Sequence, residues 1–152
     1  MSHSSHIAPD SAFADKMAGA GMPDAAIADA TEIIRLATSN APKDPMTIPV
    51  AYNLRGMAYE HKHECDRAIA DFNQAFQLFS EEPHRSAVRL RDKAALYGNR
   101  ARAYSGKGEF ERAIADLNEA ISLDPRNPVA HADRAGVYSS IGEFDRALAD
   151  YD

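Results

Sequence analysis

Apolar and small residues recur three and four positions apart along most of this chain, the period of a helix with one buried face. Phe110, Ala113, Leu117 and Ala120 form one such stripe, and Ala87, Leu90, Ala94, Tyr97, Ala101 and Tyr104 form another. The pattern also repeats at a longer period. Gly108-Glu-Phe-Glu-Arg-Ala-Ile-Ala-Asp-Leu117 returns 34 positions later as Gly142-Glu-Phe-Asp-Arg-Ala-Leu-Ala-Asp-Tyr151. Glu64-Cys-Asp-Arg-Ala-Ile-Ala-Asp-Phe72 carries the same motif 45 positions before Glu109, which is one period plus an insertion of 11.

The segments before these motifs align as well. Asn53 to Tyr59, Gly98 to Tyr104 and Ala132 to Tyr138 each hold an Arg, then a small residue, then a Tyr three further on. Each unit therefore reads as two helices joined by a short turn, with Gly108 or Gly142 where a left-handed backbone is needed. Gly56, Ala101 and Ala135 let the first helix approach Ala68, Ala113 and Ala147 on the second, with Ala75 and Ala120 two turns on. Tyr59, Tyr104 and Tyr138 fill the remaining space with Phe72, Leu117 and Tyr151. Pro125 ends a unit, because proline cannot continue a helix. Such a pair cannot bury its apolar face alone, so neighbours must stack.

The unit with Ala101, Tyr104, Phe110, Ala113, Ala120 and Pro125 resembles the tetratricopeptide repeat family, and its neighbours follow the same register with Cys65 and Ser80 as departures. The resemblance implies an all-α fold, a right-handed superhelix of stacked antiparallel helix pairs. On this register residues 1–6 form a disordered N-terminus and 7–40 a degenerate helix-turn-helix repeat, in which Gly21 marks the turn and Ala26 to Ile33 mirrors Ala113 to Ala120. Residues 41–48 are a loop and 49–82 a repeat. The insertion, 83–93, extends the next repeat's first helix backwards, since eleven residues are close to three turns. Residues 94–127 are a repeat, and 128–152 a repeat truncated in its second helix. Ala147, Leu148 and Tyr151 have nothing after them to cover them, which suits a fragment of a longer array or an end joined by another chain.

Composition narrows the function. The formal charge of -6 argues against nucleic-acid binding, which needs a clustered excess of Lys and Arg. One cysteine, Cys65, permits no internal disulfide, and no apolar run matches a signal peptide or a bilayer span, so no membrane partner and a cytoplasmic location are expected. No cofactor is expected. The run from His61 to Cys65 lacks the paired spacing of a structural zinc site, so no metal is expected there. His131 stands where the family places a large aromatic residue and is expected to pack. No nucleophile with a base in register and no phosphate loop is found, so catalysis is not expected.

The resemblance implies that first helices line a concave groove. Carried over by register, its partner-binding positions include Asn53, Met57, His61, Asn99, Arg102 and Asp133, with a floor left open by Gly98, Ala132 and Gly136. Asn53, Asn99 and Arg102 suit the backbone or a carboxylate of a peptide. Family members that clamp the acidic C-terminus of heat-shock chaperones use Lys and Arg where this chain has Val129 and Asp133, and Asp133 repels a carboxylate. Arg85, Arg89, Arg91 and Lys93 in the insertion form a candidate basic arm or a solvated helix face. Arg55, Arg100 and Arg134 recur with Asp71, Asp116 and Asp150, and Asp29 keeps that pattern towards Arg55. The function expected is a scaffold or adaptor that holds an unidentified protein or peptide. The alternatives are a homo-oligomerisation module using the uncovered C-terminal end, and the regulatory part of a longer enzyme.

Overall fold

The computed structural model describes residues 23–39, 45–80 and 87–151. Expectations for the N-terminal six residues, for the first helix and turn of the degenerate repeat, and for Arg85 lie outside those residues. The described residues form seven helices and no strand: α1 (Pro23–Ser39), α2 (Thr47–His61), α3 (Cys65–Ser80), α4 (Ala87–Gly106), α5 (Phe110–Leu123), α6 (Pro128–Ser140) and α7 (Phe144–Tyr151). Each helix packs on the next, so α2–α3, α4–α5 and α6–α7 are three stacked pairs with α1 ahead of them. The chain is an all-α solenoid.

The boundaries follow local chemistry. Asn127 caps α6, its side-chain oxygen accepting from the amides of Val129 at 3.0 Å and Ala130 at 3.4 Å, with Pro128 in the first turn. The turns inside the pairs share one closure. The amides of Glu64, Glu109 and Glu143 each donate to a tyrosine carbonyl five residues back, that of Tyr59, Tyr104 or Tyr138, at 2.9 Å. The residue before each of those amides is left-handed: Gly108 at φ 77°, Gly142 at φ 78° and His63 at φ 59°.

Helix α1 ends at Ser39, and α2 begins at Thr47, two residues before the repeat start expected at Pro49, which sits in its first turn. The insertion is helical from Ala87, giving α4 20 residues.

The core follows the repeat. Ala101, Ala113, Leu117 and Ala120 are buried with Ala130 and Val137, while Ala68, Phe72, Ala75, Leu96 and Ala103 form a second cluster. A third joins Ala135, Tyr138 and Ala147. Alanine lets helix axes come close, and Phe72, Leu96 and Leu117, the largest fully buried side chains, each contribute about 1.5–3 kcal/mol by burial. The first helices of successive pairs also touch one another, α2 with α4 and α4 with α6. Their outward positions therefore share one inner surface.

Candidate functional site

On that inner surface four polar side chains from three helices form a ladder. Asn99 on α4 is buried, and its Nδ2 donates to Asn53 Oδ1 on α2 at 3.0 Å. Arg102, one turn along α4, donates from Nη2 to Asn99 Oδ1 at 2.7 Å. Its Nη1 lies 3.5 Å from Asp133 Oδ2 on α6, near enough for an ion pair but too far for a well-formed hydrogen bond. That Oδ2 is buried and takes no hydrogen bond. Burial pushes the Asp133 carboxyl above the usual carboxylate range; Arg102 pulls against this, and Glu60 on α2 adds to the rise.

Space lies beside the ladder. A Cβ built on Gly98 or on Gly136 meets nothing within 4 Å. Ala95, Ala132, Ser139 and Ser140 are exposed, as are the apolar Val50, Leu54 and Val129. The surface thus combines an open floor, scattered apolar side chains and a fixed polar line.

Four of the six groove residues read from the sequence meet in this ladder. The other two do not. Met57 turns towards the core and packs against the cluster around Phe72 and Leu96, because its position falls on the flank of α2 that faces the next helix. His61 is exposed in the last turn of α2. In the candidate basic arm Arg91 is exposed and Lys93 half-buried on α4, where Arg89 also lies.

A second polar system runs between the helices of each pair. Arg55, Arg100 and Arg134 each grip an aspartate sixteen residues on with two nitrogens: Asp71 at 2.7 and 2.8 Å, Asp116 at 2.7 and 2.7 Å, and Asp150. The third nitrogen reaches the preceding unit: Thr31 at 3.1 Å, Asn73 at 2.7 Å or Asn118 at 2.6 Å. The expected tie between Asp29 and Arg55 is replaced by this one. Asp29 is exposed, and Thr31, half a turn on, sits where Arg55 can reach it. Arg67, Arg112 and Arg146 pair with Glu64, Glu109 and Glu143, three residues back on the surface.

Lys62 and Lys107 add a further link between units, to Asp24 at 2.6 Å and Asp66 at 2.7 Å. The sequence reading missed this link, although two lysines 45 positions apart signal it. His131 is half-buried, with Nε2 3.1 Å from the Pro125 carbonyl oxygen and Nδ1 3.5 Å from Asp150 Oδ1. In the run from His61 to Cys65, Glu64 is held by Arg67 and Lys62, and Cys65 Sγ lies against Gly106. Among the described residues no helix is long and apolar enough to cross a membrane.

Residues 94–127, the pair α4–α5 without the added turns, match the family model of the tetratricopeptide repeat. The chain therefore contains a tetratricopeptide repeat. No curated protein matches it by sequence. Among solved structures, the repeat array is similar to MamA, with 21% identity, covering 92% of this chain and 71% of that one at a TM-score of 0.67. A Podosopora anserina putative kinesin light chain with nearly identical TPR-like repeats matches 99% of this chain and 74% of its own, at 16% identity and a TM-score of 0.74. The second TPR of Spaghetti (RPAP3), bound to the HSP90 peptide SRMEEVD, is 25% identical over 68% of this chain and 85% of its own, with a TM-score of 0.57. These likenesses place the fold among helical repeat arrays.

Proposed function

We propose that this chain is a non-catalytic scaffold or adaptor that holds a segment of another protein against the inner surface of α2, α4 and α6. The observation that carries this reading is the ladder from Asn53 to Asp133, a polar line fixed across three helices beside the open positions Gly98 and Gly136. A similar repeat structure holding a short peptide supports it. The test is selection of linear peptides against the full chain, followed by binding to Gly98→Leu and Gly136→Leu. Both changes fill the floor, and binding is expected to fall about tenfold or more, a loss of about 1.4 kcal/mol, while the thermal melt holds. Selected peptides that ignore both substitutions would count against the groove.

A second reading has its own observation. Phe144, Leu148 and Tyr151 on α7 are exposed by 69%, 63% and 65%, with Ile141 beside them. In the preceding pair the matching residues Phe110, Ile114 and Leu117 lie in or against the core. Self-association over this face is the alternative, and light scattering across a concentration series, repeated with Leu148→Glu, decides it. A dimer lost in the variant supports it; a monomer at all concentrations removes it.

A further inference from the structure

From the charges around the ladder we infer that the groove selects a segment presenting a Lys or Arg side chain, accepted by Asp133 and Glu60, and rejects an acidic one; this rests on the groove reading above. The cation already present is spent. Arg102 gives Nη2 to Asn99, and its Nη1 faces Asp133 at 3.5 Å. Glu60, half-buried on α2, is close enough to act on Asp133 across the surface, yet has no ion-pair partner among the described residues. Arg102, Asp133 and Glu60 together leave one net negative charge where three helices converge.

Asp133 is itself under-bonded. Its buried oxygen takes no hydrogen bond, while the side chain as a whole keeps 26% of its surface open. An ammonium or guanidinium that meets the open part of the side chain answers its charge, while the buried oxygen stays with Arg102. An incoming carboxylate instead meets two acids and has to pull Arg102 away from both its partners. Room for a long side chain exists on the same face of α6, where Val129 and Gly136 lie one turn either side of Asp133. An exposed valine suits the aliphatic stem of Lys or Arg, whose charged end then reaches the carboxylates.

The experiment uses the full chain and three pools of heptapeptides that differ only in the central residue, Lys, Gln or Glu, read by fluorescence anisotropy at low salt. The Lys pool is expected to bind about tenfold tighter than the Glu pool, with Gln between them, and the gap to shrink as salt screens it. The double variant Asp133→Asn, Glu60→Gln, checked for an unchanged helical spectrum, is expected to lose most of that preference. Equal or tighter binding of the Glu pool overturns the inference. So does a Lys preference that survives in the double variant, even where Gly98→Leu and Gly136→Leu show that the groove is the binding surface. Failure of every pool to bind, or binding untouched by either leucine, defeats the groove reading and this inference together.

Discussion

Arg100 grips Asp116 with two nitrogens, Nε to Oδ2 and Nη2 to Oδ1, both at 2.7 Å, and so ties α4 to α5. The two side chains keep only 18% and 9% of their surface open, and the guanidinium also lies 4.3 Å from the centroid of the Phe76 ring. Its third nitrogen donates to Asn73 on α3. One residue therefore sets both the spacing within a pair and its seat on the pair before.

The first prediction concerns this pair. Removing one partner leaves a buried charge unanswered, so Asp116→Ala is expected to destabilise the chain by about 3–5 kcal/mol. Arg100→Met, Asp116→Leu replaces both charges with apolar groups and is expected to recover much of that loss. Chemical denaturation of Arg100→Met, Asp116→Leu and their double variant gives the coupling. Additive losses would show that the pair does not act as a unit.

How far the sequence carried this architecture is visible in the same residues. The recurrence of Arg with Asp at fixed spacing, and the alternation of alanines with tyrosines, pointed to helix pairs because helical periodicity is a local property. The partner of Arg100 was legible for that reason. Its reach to Asn73 was not, since it depends on how one pair is rotated on the next. The groove divides in the same way. Register brought Asn53, Asn99, Arg102 and Asp133 to one surface, but not the fact that Asn99 is consumed between Asn53 and Arg102. Nor did register show that Met57, one turn from Asn53, packs against the cluster around Phe72 and Leu96, where an apolar side chain gains by burial.

The second prediction contrasts two helical glycines. A Cβ at Gly56 would lie 2.6 Å from Phe72 Cε1 and 2.9 Å from Cδ1, and Phe72 is fully buried with no room to retreat. Gly56→Ala is expected to cost about 1–3 kcal/mol through overpacking. Gly98→Ala meets nothing and is expected to stabilise α4 by about 0.5–1 kcal/mol, because alanine loses less backbone entropy in a helix. Thermal melts of the two variants should move in opposite directions. A shift of the same sign in both would contradict the packing at Gly56.

The third prediction is a pH dependence. The Arg134 guanidinium holds the Asp150 carboxyl below the usual carboxylate range, with His131 helping and burial opposing. A carboxylate whose folded pKa is depressed contributes stability that is complete above its unfolded pKa, about 3.9. That contribution is lost as pH falls towards the folded value. Asp150→Asn should therefore be less stable than the parent chain at pH 5 to 7, and the difference should close below about pH 4. Melts at a series of pH values check this. A gap that stays constant to the acid end would mean the residue acts through shape rather than charge.

The last prediction treats Asp133 with the opposite sign. Burial raises its carboxyl above the usual range, so holding it ionised costs the folded state free energy as pH rises through its folded pKa. Arg102, at 3.5 Å, recovers only part of that cost, since the buried oxygen has no hydrogen bond. Asp133→Asn should then leave stability at pH 7 unchanged or raise it, by at most about 1 kcal/mol, with the gain vanishing below about pH 4. Marked destabilisation by Asp133→Asn at neutral pH would instead make the Arg102–Asp133 pair a structural tie, and the electrostatic preference of the groove would lose its main support.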